Sequence, residues 1–392
     1  MIVRYEPWGA WVKLEREPVL VAIDRDGARA LGLDAGALWD DTRAPEARPS
    51  RPLEVHVAVT SRCAAGCEGC YLDARPDGVE PPRAEIERRF DALARAGVFT
   101  VAFGGGEPTL RDDLGDLADA ARARGLTPVV TTSGLGIGDR KVRHLARFAQ
   151  VNVSYDGAGA AYASVRGYDG AGGAEAALTK LVAAGVSVGV NVVLTRATFG
   201  ELAKTLRRAH ALGAREAQLL RYKPAGRAKS LDYLARRLSP EQAEALGPLL
   251  RSLSRELPAL RIRIDCALVP FLSADAELAA RPEELARWGV FGCEAGAALA
   301  ATRVDGRVLP CSFAGATELD TDDIAGARWA EDPVLDAFRA LPASPAEACA
   351  SCTLRSVCRG GCKVVASFVD GAIGPDPECP RVRARRDAGT VR

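Results

Sequence analysis

The sequence predicts an α/β fold, with a small β unit before a helix-covered parallel sheet and an irregular cysteine-rich region after it. Three observations support this expectation. Apolar strand candidates alternate with helical stretches, the 392 residues exceed one ordinary domain, and the eleven cysteines are concentrated in two regions. The composition, with 48% hydrophobic and 26% charged residues, is that of a globular chain and excludes wholesale disorder, collagen and coiled coil.

The central sheet is predicted from six apolar segments, each followed by a stretch with helical spacing. In the first such stretch, residues 83–96, Ile86, Phe90 and Leu93 fall on one helix face and Gly97 can close the C-terminus. Strands rich in β-branched residues and joined by helices indicate a parallel sheet, either barrel-like or doubly wound, and periodicity does not separate these two. The predicted strands are 53–60, 98–104, 127–133, 151–156, 186–195 and 217–223, and the further helices are 112–124, 140–149, 174–184 and 200–212.

The regions on either side of this sheet have a different character. Residues 1–50 contain strand candidates at 11–15 and 18–24, followed by a polar, proline-containing linker at 43–50. After the sheet, residues 232–258 are predicted to be helical and 261–269 to form a strand, and beyond Gly292 the periodicity fades. The predicted domains are therefore 1–50, 51–290 and 291–392.

Charge and cysteine content restrict the partners and the compartment. The net charge of +1 creates no global field for nucleic acid or an anionic membrane, so neither is expected as a partner. No signal-peptide pattern and no run of about 18 apolar residues occurs, so we expect a cytoplasmic protein. In a reducing compartment an odd number of closely spaced cysteines favours metal or redox chemistry over disulfides.

Two motifs follow the first two predicted strands. Cys63, Cys67 and Cys70 form a C-x3-C-x2-C run, in which three thiolates can hold three irons of a [4Fe–4S] cube and leave the fourth iron open. A zinc site with a ligand from elsewhere is the alternative. The second motif is the segment 104–108, Gly-Gly-Gly-Glu-Pro, where glycines admit close approach to the main chain and Glu107 could fix an ammonium or hydroxyl group.

In this order and at these strand ends, the two motifs resemble those of the radical S-adenosylmethionine (SAM) superfamily, over about residues 53–230. The resemblance implies a partial (β/α)6 TIM-like barrel in which Cys63, Cys67 and Cys70 bind a [4Fe–4S] cluster whose open iron SAM chelates. It also implies that the SAM contacts are Gly105, Gly106, Glu107, Ser154, Asp156, Arg166 and Asn191, with Arg166 toward the carboxylate. The residue before the third cysteine is Gly69, where the family often has an aromatic residue or His, so adenine contact is expected from main chain or from Tyr71.

The C-terminal cysteines resemble the SPASM extension of radical SAM enzymes, which implies two auxiliary [4Fe–4S] clusters. The family pattern assigns Cys293, Cys311 and Cys362 to the first cluster, and Cys349, Cys352, Cys358 and Cys379 to the second. Cys266, predicted to lie on a strand, either completes the first cluster or is a buried free thiol, and we expect ligation. Zinc is again the alternative.

The resemblance also implies the activity. SAM is cleaved reductively to a 5′-deoxyadenosyl radical that removes a hydrogen atom from the substrate, with an external one-electron reductant such as flavodoxin or ferredoxin. The first choice of substrate is a ribosomally made peptide or a protein, with residues 1–50 helping to grip a leader peptide by strand addition. The runner-up is a non-peptide, such as a tetrapyrrole in haem biosynthesis. A plain electron carrier would not need the glycine-rich loop.

Several side chains receive plainer interpretations. Ser312 stands where sulfatase-maturing enzymes carry Asp, which disfavours that activity, and no catalytic base is named. His56 alternates with Val55 and Val57 and is expected to face away from their side of the sheet. The basic residues of the loop that follows the last strand could line a pocket mouth, but a basic loop is more often solvated, and this is the interpretation for Arg221, Lys223 and Arg227.

Overall fold

The computed structural model describes residues 1–14, 19–41, 48–340 and 347–389. The N-terminal unit is an antiparallel sheet of Ile2–Glu6 (β1), Gly9–Lys13 (β2) and Leu20–Asp24 (β3), with β2 in the middle. The two predicted strands are confirmed, and β1 is an additional one. The helix Arg25–Ala30 (α1) follows, and the Asp24 side chain caps it. Most of the predicted linker lies outside the described residues.

Six consecutive parallel strands form the centre of the molecule, as the sequence predicts. They are Glu54–Thr60 (β4), Thr100–Gly105 (β5), Thr127–Thr132 (β6), Gln150–Ser154 (β7), Val188–Leu194 (β8) and Glu216–Arg221 (β9). The helices between them are Arg83–Arg95 (α2), Leu114–Ala123 (α3), Asp139–Leu145 (α4), Ala160–Arg166 (α5), Ala171–Ala183 (α6) and Leu202–Ala211 (α7).

Three further strands extend this sheet at its two edges. Arg261–Ile264 (β10) pairs with β9 in parallel, while Leu299–Thr302 (β11) pairs in parallel with β4 and antiparallel with Val308–Leu309 (β12). In the described residues the strand order is β10-β9-β8-β7-β6-β5-β4-β11-β12, with no pairing between the two ends. The sheet is therefore an open, partial barrel, which confirms the predicted fold class.

The two faces of the sheet differ in polarity because successive side chains of a strand point to opposite sides. Val55, Val57 and Val59 of β4 are buried in the main hydrophobic core together with Phe90 of α2 and Phe103 of β5. The alternate positions face the side that the helices leave uncovered. Their side chains form a polar row in which Asn152 donates to Asn191 Oδ1 at 3.1 Å and Asn191 donates to Thr131 Oγ1 at 3.3 Å. This face of the sheet is therefore polar and only partly buried, unlike the face that packs against the helices.

The segment after β9 corrects two predictions. The helix predicted over 232–258 is two helices, Tyr233–Arg236 (α8) and Pro240–Glu256 (α9), because Ser239 and Gln242 form a capping box that begins a new helix. The strand predicted over 261–269 ends at Ile264, since the Asp265 side chain accepts a hydrogen bond from the backbone N–H of Ala267 and closes a turn. Cys266 therefore lies in a turn and not on a strand.

The C-terminal region consists of short elements joined by cysteine-bearing loops. β11 belongs to the barrel sheet, and the division at 290 stays a prediction. None of the helices in the described ranges is long and apolar enough to cross a membrane. The remaining helices are Ala276–Ala279 (α10), Pro282–Arg287 (α11), Ala327–Glu331 (α12), Pro333–Ala340 (α13), Glu347–Ala350 (α14), Arg355–Cys358 (α15), Lys363–Asp370 (α16) and Pro380–Asp387 (α17).

Candidate active site

Cys63, Cys67 and Cys70 lie together on the loop after β4, at the carboxyl edge of the sheet. Burial raises the pKa of the Cys63 thiol, and the charges of Glu107, Cys67 and Cys70 add to the rise. The loop is fixed from the β9 side by Arg227, whose Nη2 donates to the Cys67 carbonyl at 2.8 Å and whose backbone N–H donates to the Cys70 carbonyl at 2.9 Å. Arg227 is therefore a structural support of this loop, which corrects its interpretation as a solvated residue.

The glycine-rich segment brings the end of β5 against the base of the cysteine loop. A Cβ at Gly105 would stand 2.0 Å from the Thr60 carbonyl oxygen, and one at Gly106 would stand 2.1 Å from the Arg62 carbonyl oxygen. Only glycine fits at these two positions, since real Cβ atoms essentially never approach so closely. A Cβ at Gly104 meets nothing within 4 Å, so the backbone borders open space there. A ligand can approach the main chain at that point.

Glu107 is buried and fastens β5 to β6. Its carboxylate accepts five hydrogen bonds, from the N–H and hydroxyl of Thr109, the hydroxyl of Thr132, and the N–H and hydroxyl of Ser133, at 2.6–3.1 Å. A carboxylate offers about four lone-pair sites, so an ammonium group would have to replace one of these donors. A direct contact between Glu107 and SAM stays a prediction.

Arg166 ends α5 and faces the cysteine loop. Its Nε donates to Asp156 Oδ2 at 2.7 Å, and the completely buried Asp156 also accepts from the Val193 N–H at 2.7 Å. Burial alone would lower the pKa of Arg166, but the Asp156 and Cys67 charges raise it above its usual range. The Arg166 carbonyl accepts from the Glu68 N–H at 3.1 Å. A fixed positive charge therefore stands beside Cys67, and its contact with the SAM carboxylate stays a prediction.

Ser154 and Asn191 are neighbours across the β7–β8 pairing. Ser154 is buried, whereas Asn191 belongs to the polar row described above. The predicted SAM contacts thus lie at or near the ends of β5, β7 and α5, except for Asn191, which is in the middle of β8.

The other eight cysteines form two groups. Burial raises the pKa of Cys266, of Cys311 to about 11 and of Cys362 to about 12, and each of these thiols interacts electrostatically with Cys293. Burial likewise raises the pKa of Cys349, Cys358 and Cys379. The four thiols of this second group line one cavity together with Pro270, Ser273 and Asp376. This second group is Cys349, Cys352, Cys358 and Cys379.

Comparison with known proteins identifies the family. The Radical SAM superfamily model matches residues 57–209. The mycofactocin maturase MftC of Mycobacterium ulcerans is 31% identical over 84% of this chain and 88% of its own length. The PqqA peptide cyclase of Ruegeria pomeroyi is 28% identical, over 86% and 90%. The chain belongs to the radical SAM superfamily.

A solved structure agrees with this assignment at the level of the fold. Streptococcus suis SuiB bound to its precursor peptide SuiA has a TM-score of 0.73 and 17% identity, and the match covers 96% of this chain and 98% of that one. The resemblance seen in the sequence is confirmed, and this radical SAM protein is an enzyme whose family uses SAM and a [4Fe–4S] cluster.

The cysteines of this radical SAM enzyme have the donor chemistry that iron–sulfur clusters need. All eleven are free, and they stand as one group of three and two groups of four. Three thiols leave one iron of a cube open for SAM, and four thiols can close a cube. In the described part of the chain, no three His, Cys, Asp or Glu side chains are arranged to hold a single metal ion. Metal analysis, described below, tests the zinc alternative.

Sequence reasoning missed the role of residues 311–313. After Cys311, the Ser312 hydroxyl lies 2.7 Å from His56 Nδ1, and the Phe313 ring lies 4.8 Å from that of Tyr71. His56 Nε2 is 2.9 Å from Glu54 Oε1, so this side chain lies on the side of the sheet opposite the buried Val55 and Val57, as predicted. Ser312 was singled out only as a departure from another family pattern. Its position beside β4 has no local sequence signal.

The basic residues at the end of β9 were wrongly predicted to be solvated. Only 3% of the Arg221 side chain and 5% of the Lys223 side chain are exposed. Arg221 pairs with Asp376 and Glu378, and Lys223 pairs with Asp265. Burial is possible because each cation meets carboxylates supplied by distant segments.

Proposed function

We propose that this radical SAM enzyme is a maturase that oxidatively modifies a side chain of a ribosomally made precursor peptide. The observation that carries the proposal is the polar, partly buried face of the sheet, which has the cysteine loop at its carboxyl edge and Ser312 against His56 of β4. The names of the relatives support a peptide substrate, since one is a peptide cyclase and SuiB was solved with a precursor peptide.

In this proposal Cys63, Cys67 and Cys70 hold the SAM-binding cluster. When bound, the cluster and SAM supply reductive C–S bond cleavage and a radical that abstracts hydrogen. Arg166 contributes a fixed positive charge for the SAM carboxylate, with Asp156 setting its orientation. Gly105 and Gly106 allow the close backbone approach, and Ser154 and Asn191 border the ligand. Tyr71 and Phe313 cover one side of the loop and help to exclude water.

The C-terminal groups are proposed to hold two auxiliary [4Fe–4S] clusters. The first uses Cys266, Cys293, Cys311 and Cys362, and the second uses the four cysteines that line the cavity. Clusters ligated by four thiolates suit electron transfer. These clusters would accept the electron that the substrate radical loses and pass it to an external carrier such as flavodoxin or ferredoxin.

The N-terminal sheet is proposed to help grip a leader peptide. Its outer strand β3 pairs only with β2 among the described strands and carries the exposed residues Leu20 and Val21. Such an edge can accept an added strand through main-chain hydrogen bonds.

The test uses anaerobically reconstituted enzyme, SAM, dithionite and synthetic copies of small peptides encoded beside the gene. We expect 5′-deoxyadenosine together with a peptide that has lost the mass of two hydrogen atoms, detected by mass spectrometry. The Cys63→Ala/Cys67→Ala/Cys70→Ala variant is the control and should leave the peptide unchanged. Peptides that stay unmodified, while a tetrapyrrole is converted by the same preparation, would contradict the peptide assignment.

A further inference from the structure

Two cations are buried where β9 leaves the sheet. Arg221 is the last residue of β9, and Lys223 follows two positions later. Burying a charge without a partner costs several kcal/mol. Each of these two cations must therefore be paired with an opposite charge or serve a function that offsets this cost. Their surroundings differ in a way that separates a structural role from a functional one.

Arg221 is fully balanced by carboxylates. Its Nη1 and Nη2 donate to Asp376 at 2.5 and 3.0 Å, and Nη2 also donates to Glu378 at 2.7 Å. Asp376 accepts in addition from the Cys362 N–H at 2.9 Å. This network ties β9 to the loop before α17 and accounts for the burial of Arg221 by structure alone.

Lys223 has one carboxylate and an aromatic ring as its neighbours. Its Nζ forms an ion pair with Asp265, the residue before Cys266, and lies 4.3 Å from the centre of the Phe313 ring, two residues after Cys311. It is thus held between the two chain segments that carry Cys266 and Cys311. Its charge opposes the burial-induced rise in the pKa of Cys266, Cys311 and Cys362.

We propose that Lys223 is a positioning residue that raises the reduction potential of the group held by Cys266, Cys293, Cys311 and Cys362. The inference rests on the proposed auxiliary cluster. Each one-electron reduction adds one negative charge among these thiolates, and a fixed positive charge in a water-poor site stabilises the added charge. Asp265 orients the ammonium, and Phe313 keeps it in place from the opposite side by a cation–π contact.

The experiment compares reduction potentials in the full-length chain carrying Cys63→Ala/Cys67→Ala/Cys70→Ala, so that only the auxiliary clusters give signals. Potentiometric titration followed by electron paramagnetic resonance should resolve two clusters. We expect Lys223→Met to lower one potential by at least about 59 mV, a tenfold change in the reduced-to-oxidised ratio, and to leave the other unchanged. The unshifted second cluster is an internal control.

Three matched variants isolate the charge. Lys223→Arg should retain the native potentials because it keeps a cation, and Lys204→Met, at an exposed lysine of α7, should alter neither. Because Asp265→Asn removes an opposite charge, the double variant Lys223→Met/Asp265→Asn is compared with Asp265→Asn alone, and we expect the double variant to have the lower potential. Equal potentials in these two would show that the effect of Lys223→Met comes from the exposed Asp265 charge and would overturn the inference.

Iron analysis separates failure of the inference from failure of the proposed function. About eight irons per chain in the triple-Ala background with Lys223 intact confirms the two clusters, and about four or none rejects them. Eight irons with both potentials unchanged in Lys223→Met rejects only the role of Lys223. Loss of iron in both Lys223→Met and Lys223→Gln also rejects it, because the lysine would then be needed for assembly rather than for potential.

Discussion

The cysteine loop after β4 is supported by the ends of a regular sheet, whereas the C-terminal cysteines stand on turns, short helices and loops. Gly105 and Gly106 allow the end of β5 to approach the base of the first loop closely, and the backbone at Gly104 borders open space. Cys266 and Cys362 instead lie beside the buried ion pairs of Lys223 and Arg221. An open site with three thiols suits ligand exchange, and closed sites with four suit electron transfer. The surroundings of the thiols, as well as the number of thiols in each group, therefore distinguish a site for ligand exchange from sites for electron transfer.

The largest expected effect comes from emptying the open site. Cys63→Ala/Cys67→Ala/Cys70→Ala should abolish 5′-deoxyadenosine production and lower iron from about twelve to about eight per chain, because the C-terminal groups use other thiols. Iron analysis and chromatography of the SAM products measure both effects. Retained SAM cleavage would show that the wrong group has been assigned, and stoichiometric zinc with little iron in the unaltered enzyme would support the zinc alternative.

The second prediction tests the charge that faces the open site. Arg166→Gln leaves Asp156 buried and unpaired, so we expect the free energy of unfolding to fall by about 3–5 kcal/mol. We also expect SAM to bind about tenfold more weakly, since a charge-assisted hydrogen bond is lost. Arg207→Gln, which breaks an exposed ion pair with Glu256, is the control and should leave the free energy of unfolding nearly unchanged. Unchanged SAM affinity in Arg166→Lys and Arg166→Gln would argue against the carboxylate contact.

The third prediction tests the glycines that position the open site. Gly106→Ala should destabilise the enzyme by about 1–3 kcal/mol, because its Cβ would meet the Arg62 carbonyl oxygen and push the cysteine loop away. Gly104→Ala adds the same methyl group into open space and should leave the melting temperature nearly unchanged. Equal melting temperatures for the two variants would mean that the close approach at Gly106 does not support the loop.

The smallest effect is expected at a closed site. Cys266→Ala should cost about 1 kcal/mol in packing and change the paramagnetic spectrum of one auxiliary cluster, while SAM cleavage persists. Cys266 lies in the turn after β10, beside Asp265. An unaltered auxiliary spectrum would instead make Cys266 a buried free thiol and leave the first auxiliary cluster with an open iron.

Local patterns in the sequence were sufficient for the parallel sheet and for its cysteine loop, whereas the barrel form of the sheet was predicted from the family resemblance. The six strands and the motifs at 63–70 and 104–108 are contiguous, so alternation and spacing reveal them. What escaped prediction depends on distant pairing. Lys223 can be buried because it pairs with Asp265, which is 42 positions away in the sequence. Arg221 can be buried because it pairs with Asp376, which is 155 positions away. Ser312 contacts His56 across 256 positions. No window of the sequence contains both partners of such contacts.

The pairing of β11 with β4 constrains the order in which the chain can be completed during synthesis. Leu299 pairs with Glu54, so the strand that leads into the cysteine loop gains its second neighbour only after about 245 further residues have been translated. Contacts of such large sequence separation form late because a long loop must close first. Until then β4 is an edge strand with unpaired backbone groups. We therefore expect the nascent barrel to hold its cysteine loop at an exposed sheet edge until the C-terminal third emerges from the ribosome.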